Sequence, residues 1–475
     1  MSETALHYQS AAEMASKVRA GELSARQLMG AHLARIEAVN PELNAIVTLV
    51  PERALAWAAE ADERQARGEA LGPLHGLPIA HKDLVMTEGI RSTSGSRLLA
   101  DHVPRADDLI VQRLRAAGAI TLGKTNVPEF GAGSQTYNEV FGETLNPWDL
   151  TRTCGGSSGG AAVALAAGMV PIADGSDMGG SLRNPGSFCS VVGLRPSPGR
   201  VPIHPGRSHW SPLSVLGPMA RTVEDTALLL SAMAGPDARA PLSLSTPGEA
   251  FAASLDRDFS GVRVAWSRDL GGLPVDSRVI SVIESSRGAF AGIGCEIEEA
   301  EPDWSGADEA FKALRAWEFA QAFAGLPEGA DRLLKETLRW NIEQGLGLSA
   351  ADMARAENLR GQLYQRVRAF MEEYEFMVLP VSQVPPFAVS TRYPEEIEGV
   401  AMETYIDWMK SSYFVTLTGH PAISLPCGFT REGLPVGVQI VGRWRDDFGV
   451  LQIARALERI LETESGISSA HPPID

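Results

Sequence analysis

The chain has 475 residues, 44% hydrophobic and 21% charged, values of a globular protein with a large buried core rather than of a disordered or fibrous one. Its 42 Lys and Arg stand against 59 Asp and Glu, and the net charge of −17 repels phosphate backbones and anionic membrane surfaces, so nucleic acid is not expected as a partner. Cys154, Cys189, Cys295 and Cys427 are far apart, with no C-x-x-C pair and no histidine cluster beside them, which argues against structural zinc and against a disulfide framework.

Met1-Ser2-Glu3-Thr4 lacks the basic start and apolar core of a leader, and the longest apolar run, Gly159 to Ala173, is too short and too small-residued to span a bilayer. A soluble, cytoplasmic protein without a membrane partner is the expectation. Helices are predicted from about Ser10 to Ala20, from a Ser24 cap to a stop before Asn40-Pro41, and near Ala54 to Arg67. The turn-rich Gly72-Pro73-Leu74-His75-Gly76-Leu77-Pro78 then delivers the short apolar Ile79-Ala80 to Lys82, placing that lysine at the end of a buried element. Helix (Asp108 to Ala117), strand (Ala119 to Leu122) and small-residue helix (Gly159 to Ala167) follow, the alternation of an α/β protein.

Thr222-Val223-Glu224-Asp225 fits a capping box for a helix ending at Gly235-Pro236. Val262 to Trp266, Asp276 to Ala291 and Cys295 to Ala300 read as strand, helix and strand. Residues 307 to 373 are nearly all helical, a layer over the sheet, before a strand at Phe376 to Leu379. Strands near Ala422 to Leu425 and Val436 to Val441, with a helix from Phe448 to Leu461, close the chain. No repeat or linker separates independent domains, so a single domain over residues 1 to 475 is expected.

Two motif matches lack their context. Gly118-Ala119-Ile120-Thr121-Leu122-Gly123-Lys124-Thr125 satisfies the phosphate-loop pattern, but its variable positions are β-forming and Asn126-Val127-Pro128 stands where a helix should run. A buried strand and turn is the expectation. Gly155-Gly156-Ser157-Ser158-Gly159 matches the G-x-S-x-G elbow of α/β-hydrolases. That esterase reading needs a histidine base, and His204, His209 and His420 all lie in turns or Pro/Gly-rich loops, so it is the lesser alternative.

Several segments taken together are far more specific. Gly155-Gly156-Ser157-Ser158-Gly159-Gly160, Gly175-Ser176-Asp177-Met178-Gly179-Gly180-Ser181-Leu182-Arg183 and Gly76-Leu77-Pro78-Ile79-Ala80-His81-Lys82-Asp83 resemble the amidase signature family. Lys82, Ser157 and Ser181 match that family's lysine and two serines, and Ser187-Phe188-Cys189, Gly193-Leu194-Arg195-Pro196, Gly199-Arg200-Val201, Pro421-Ala422-Ile423-Ser424-Leu425-Pro426 and Gly433-Leu434-Pro435-Val436-Gly437 are further landmarks. The resemblance covers roughly Ala11 to Glu458. It is weakest at about residues 204 to 378, a variable and largely helical region expected to shape the substrate pocket.

The resemblance implies an α/β fold, one large amidase-signature domain with a central mixed, twisted sheet covered by helices on both faces. It implies Ser181 as nucleophile, Ser157 as proton relay after a cis peptide bond, and Lys82 as base. Backbone N–H groups of Met178, Gly179, Gly180 and Ser181 would form the oxyanion hole, and Ser158, Asp177 and Arg183 a supporting network. No metal and no organic cofactor is implied. A serine hydroxyl must lose its proton as it attacks, and an ordinary lysine, with pKa about 10.4, is neutral in only about one molecule in 2,500 at pH 7. Burial must therefore lower Lys82 by about three units, roughly 4 kcal/mol against the ammonium.

The substrate expected is a small hydrophobic or aryl acylamide, with carbamate (urethane) and ester cleavage possible on the same chemistry. Trp210, Trp317, Phe319, Phe323, Trp340, Tyr405, Trp408, Tyr413 and Phe414 are candidates for an apolar pocket, each individually more typical of core. The principal alternative is the A-type glutaminase component of a glutamyl-tRNA amidotransferase, which would need a partner complex. A catalytically dead interaction module is disfavoured because all three triad positions are kept. A homodimer is a reasonable expectation.

Overall fold

The computed structural model describes residues 5–206, 208–327, 329–467 and 470–474. Met1 to Thr4, on which the expectation about a leader falls, lie outside the described residues. The main sheet has eleven strands: β1 (Ile46–Leu49), β2 (Pro78–Lys82), β3 (Ile120–Thr125), β4 (Ile172–Asp177), β5 (Val192–Arg195), β6 (Val215–Ala220), β7 (Arg263–Trp266), β8 (Glu296–Glu299), β9 (Phe376–Pro380), β10 (Ala422–Phe429) and β11 (Pro435–Gly442). Their order across the sheet is β1-β3-β2-β4-β6-β5-β10-β11-β9-β7-β8. The β3-β2-β4 and β9-β7-β8 runs are parallel and the remaining pairs antiparallel, giving the expected mixed sheet.

Thirteen α-helices occur among the described residues: α1 (Ala11–Ala20), α2 (Ala25–Leu43), α3 (Pro51–Ala66), α4 (Leu109–Ala116), α5 (Gly159–Ala166), α6 (Arg183–Cys189), α7 (Val223–Met233), α8 (Ser277–Gly292), α9 (Ala307–Ala322), α10 (Glu336–Leu346), α11 (Ala350–Glu373), α12 (Lys410–Thr418) and α13 (Asp447–Ser465). None is long and apolar enough to cross a membrane.

Successive strand residues point to opposite faces of a sheet. Ile79, Ile172, Ala220, Val264, Val378, Ile423 and Ile440 accordingly join one apolar cluster with α1, α4, α7, α8 and α13. Their chain neighbours Ala80, Ala173 and Met219 pack with α2, α3 and α5, and Ala265, Met377, Ala422 and Val441 with α9, α11 and α12. The inner strands of the sheet are thus buried on both faces, which is why they read as apolar runs rather than as alternation, whereas the edge strand β8 is largely exposed.

Three local expectations are corrected. α2 does not stop before Asn40-Pro41 but runs through Pro41 to Leu43 and ends on left-handed Asn44 (φ 52°). The Asn40 carboxamide accepts the Ala45 and Ile46 N–H groups, both at 2.9 Å, and so takes over the turn beyond the proline. α3 starts at Pro51, the first-turn position that proline's fixed φ suits, rather than at Ala54. At α7, Thr222 Oγ1 accepts the Asp225 N–H at 3.1 Å. The Asp225 carboxylate does not complete a box there; it accepts the N–H groups of Ala11 and Ala12 and caps α1 instead.

α5 follows the glycine-serine turn and lies against the chain beyond β3. A Cβ on Gly160 would stand 2.3 Å from the Asn126 nitrogen and 2.7 Å from the Ala45 carbonyl oxygen, both backbone atoms that cannot step aside. The Gly160 N–H donates to the Asn126 carbonyl at 3.2 Å across this contact. Gly160→Ala is expected to lower stability by about 3 kcal/mol, the upper range for overpacking, read as a reduced denaturation midpoint in urea with an unchanged slope.

Candidate active site

β2 is buried along its whole length between the parallel neighbours β3 and β4, which carries Lys82 to the interior. Lys82 is fully buried. Its Nζ donates to Ser157 Oγ at 2.8 Å, Ser158 Oγ at 2.8 Å, Ser176 Oγ at 2.9 Å and the Ser176 carbonyl at 3.4 Å. Among the described residues no carboxylate pairs with it. Asp83 is occupied by the Thr93 N–H and hydroxyl, and Asp174 lies against His81 Nδ1 at 2.6 Å while accepting the Lys82 backbone N–H at 3.3 Å. Burial lowers the Lys82 ammonium to a pKa of about 7 against the opposing pull of Asp177 and Asp174.

The two serines come from the turn before α5. Gly155 there is left-handed (φ 72°) and the Gly156–Ser157 peptide is cis, as the resemblance implies. Thr136 Oγ1 donates to the Gly155 carbonyl at 2.8 Å and Ser134 Oγ to the Gly156 carbonyl at 2.7 Å, fixing the turn. Ser158 bridges three segments: its hydroxyl meets Lys82 Nζ and the backbone of Ser176, and its N–H donates to the Ser181 carbonyl at 3.2 Å.

Ser181 lies on the loop between β4 and α6. Its hydroxyl makes no hydrogen bond among the described residues, and it meets the cluster through its backbone. The loop is organised by the Asp177 carboxylate, which accepts the N–H groups of Gly180 (3.0 Å) and Leu182 (3.1 Å), two guanidinium nitrogens of Arg183 (3.0 and 2.9 Å) and Arg195 at 3.2 Å. Burial alone would raise this carboxyl, but Arg183 and Arg195 hold it well below the ordinary carboxylate range. Arg183 reaches on to Gln439 Oε1 (2.6 Å), Thr416 Oγ1 (2.9 Å) and the Ser412 carbonyl (2.8 Å). Gly180 is itself left-handed (φ 112°), and a Cβ there would stand 2.7 Å from Ser412 Cβ.

All the residues singled out from sequence, Lys82, Ser157, Ser158, Asp177, Met178, Gly179, Gly180, Ser181 and Arg183, therefore fall in one junction of β2, β4 and the α5 and α6 N-termini. The Gly180 N–H is committed to Asp177, so Met178, Gly179 and Ser181 are left as the loop N–H groups without a partner among the described residues. Two residues escaped the sequence reading. Ser176 stands inside the glycine-serine motif and could have been suspected there; Arg195, in the Gly193-Leu194-Arg195-Pro196 landmark, gave no sign that it would fold back onto Asp177.

A cavity of ≈ 450 Å³ opens beside Ser176 and Met178, walled by Leu84, Met86, Phe130, Leu216, Phe319 and Phe323. Phe130 and Phe323 meet edge to face at 4.9 Å. Of the other candidate aromatics, Trp408, Tyr413 and Phe414 are core and Trp210 and Trp317 are exposed. Trp340 and Tyr405 pack on each other at 5.9 Å. Lys124 of the phosphate-loop match is buried at the end of β3, donating to Thr87 Oγ1 at 2.9 Å and to the Val85 carbonyl, the expected strand and turn. Among the described residues no histidine hydrogen-bonds to Ser157, and His420 is buried, which lowers it to about 4.

A family model described as Amidase matches residues 27–451. An acylamidase of Rhodococcus erythropolis is 39% identical over 472 residues, 97% of each chain. The A-type component of the glutamyl-tRNA(Gln) amidotransferase of Prochlorococcus marinus (strain MIT 9303) is 36% identical, over 97% of this chain and 98% of its own. Among solved structures, a bacterial aryl acylamidase of the amidase signature family superposes with a TM-score of 0.90 at 29% identity, covering 98% of both chains.

Removing the Asp177 charge would leave two buried guanidinium groups without their counter-ion. Asp177→Ala is expected to cost about 3–5 kcal/mol, measured by urea unfolding at pH 7.

Proposed function

The chain belongs to the amidase family, and from that premise we propose that it is a stand-alone serine amidohydrolase, acting as monomer or homodimer on small hydrophobic or aryl acylamides. The observation that carries this reading is the buried Lys82 Nζ, 2.8 Å from Ser157 Oγ. With a pKa lowered to about 7, far more of the protein holds this amine neutral at pH 7 than an ordinary lysine would. A neutral amine donates two protons and accepts one. The hydroxyls of Ser158 and Ser176 can take the two, leaving the lone pair for the Ser157 hydroxyl proton.

In this reading Ser181 Oγ attacks the amide carbonyl and gives its proton to Ser157, whose own proton passes to Lys82. The tetrahedral oxyanion is received by the N–H groups of Met178, Gly179 and Ser181, each such donor typically contributing about 10²- to 10³-fold in rate. Lys82 then returns a proton through Ser157 to the departing amine. Water, deprotonated by the same relay, releases the acid from the acyl-enzyme and restores Ser181. The same steps serve carbamates and esters, since only the group flanking the carbonyl changes.

The apolar cavity beside Ser176 and the 39% identity to an acylamidase support the acylamide preference. The 36% identity to the A-type component of an amidotransferase favours one second reading, glutamine hydrolysis within a partner complex. Aniline release from p-nitroanilides, aryl acylamides and aryl carbamates, with glutamine as a separate substrate, decides between them. Ser181→Ala is expected to abolish aniline release in a protein that still folds, and Lys82→Ala to lower kcat by about 10²- to 10⁴-fold. Wild-type activity in Ser181→Ala defeats the assignment, and activity on glutamine alone favours the amidotransferase reading. Because the neutral amine is the base, kcat/KM should rise as pH increases through about 7 and level off above it.

A further inference from the structure

β2 and β4 run side by side, with Ala80 and Ala173 as partners. One residue further along stand His81 and Asp174, both fully buried. His81 Nδ1 and Asp174 Oδ1 are 2.6 Å apart, and the far ring nitrogen of His81 lies 3.0 Å from the Thr121 hydroxyl on β3, a group that can donate or accept. The second carboxylate oxygen accepts the Lys82 backbone N–H at 3.3 Å. A buried pair of this kind is a poor way to gain stability, since apolar side chains of similar volume often serve as well or better.

The proton relay supplies a use for it. As Ser181 attacks, the Ser157 O–H bond breaks, an N–H bond forms on Lys82, and Ser157 takes the Ser181 proton. A neutral amine and a neutral amide thereby become an ammonium and an oxyanion. The ammonium is met by the hydroxyls of Ser157, Ser158 and Ser176 at 2.8, 2.8 and 2.9 Å, which are dipoles and not charges. Burial disfavours it, and the carboxylates of Asp177 and Asp174 favour it. Inside a protein a charge is screened far less than in water, so a carboxylate acts on the amine without touching it.

The two carboxylates differ in their surroundings. Asp177 is met by the guanidinium groups of Arg183 on α6 and Arg195 on β5, whose positive charges offset its own. Asp174 is met by the His81 ring and interacts at longer range with Lys124 on β3 and Asp108 at the N-terminus of α4. Lys124 is drawn first by Asp83, the neighbour of Lys82 on its other side, and Asp83 accepts from Thr93.

We propose that Asp174, oriented by His81, is a positioning residue for the proton relay: its carboxylate fixes the Lys82 backbone and holds a negative charge behind the amine, stabilising the ammonium formed each time Ser157 gives up its proton. The same charge keeps more of the resting protein protonated. Removing it therefore has two opposite effects, freeing the amine at lower pH and leaving it a weaker base. The inference rests on the amidase reading and deepens it.

The test is the pH dependence of p-nitroaniline release from a short-chain acyl p-nitroanilide, followed on the full chain from about pH 5 to about pH 9. In Asp174→Asn, which keeps an acceptor for the Lys82 N–H, the midpoint of the rise in kcat/KM is expected about one unit below that of wild type, the low end for one nearby opposite charge. The plateau of kcat should fall by up to about tenfold, the equivalent of that unit. The double variant His81→Leu with Asp174→Leu removes the pair without leaving either half unpaired and should move the midpoint the same way, so the test survives if Asp174→Asn does not fold. The midpoint is read within each protein, so a smaller folded fraction cancels. A midpoint in the folded variants equal to or above that of wild type, whatever the plateau, overturns the proposal while leaving the amidase reading intact. Failure of wild type to release p-nitroaniline, or full activity in Ser181→Ala, overturns both.

Discussion

A lysine buried where its charge is disfavoured is the constraint on which the rest of this structure depends. Burial works against the Lys82 ammonium, while the carboxylates of Asp177 and Asp174 work for it. Burial outweighs that pull because neither carboxylate pairs with Nζ and each is occupied by other groups. Asp177 is surrounded by Arg183, Arg195 and two backbone N–H groups, and Asp174 lies against His81. Hydroxyls, not charges, fill the space around Nζ, and hydroxyls can both donate and accept.

This arrangement demands close approach of backbones, which explains the concentration of small residues. Gly160 lets α5 press onto the chain after β3, and Gly180 lets the loop before α6 turn beneath Ser412. The Asp177 network has a second consequence. Through Arg183 it reaches Gln439 on β11 and Thr416 on α12, so the loop carrying Ser181 is anchored to elements more than 200 residues later in the chain. The machinery on β2 and β4 is therefore held in place by the distal half of the sheet.

The cluster around Lys82 and the later part of the cavity wall come from different stretches of the chain. Lys82, Ser157, Ser176 and Ser181 come from the first two hundred residues, on or beside central parallel strands. Much of the cavity wall comes from Leu216, Glu318, Phe319 and Phe323, in β6 and in the α9 region. Changes in that later region can alter the cavity without moving Lys82, because α9 packs on a different apolar cluster from α5.

The sequence by itself determined what depends on residue type and short spacing. The Ser24 cap, the apolar strands, the glycine-serine turn and the motif around Ser181 are local, and the family resemblance tied Lys82 to both serines. The strand at the Gly118 to Thr125 match was legible for the same reason, because its β-forming residues and Pro128 are local facts. Contacts between distant segments were decided only by tertiary structure. Pro41 is tolerated because Asn40 caps the turn after it, Asp225 caps α1 rather than its own helix, and Trp408 and Tyr413 are core while Phe319 and Phe323 line the cavity. Ser176 became a partner of Lys82, and Arg195 of Asp177, only when the sheet set β2, β4 and β5 close together. Hydrogen bonds and burial between such residues depend on the three-dimensional order of the strands, in which β6 lies between β4 and β5, and a one-dimensional pattern carries no trace of that order.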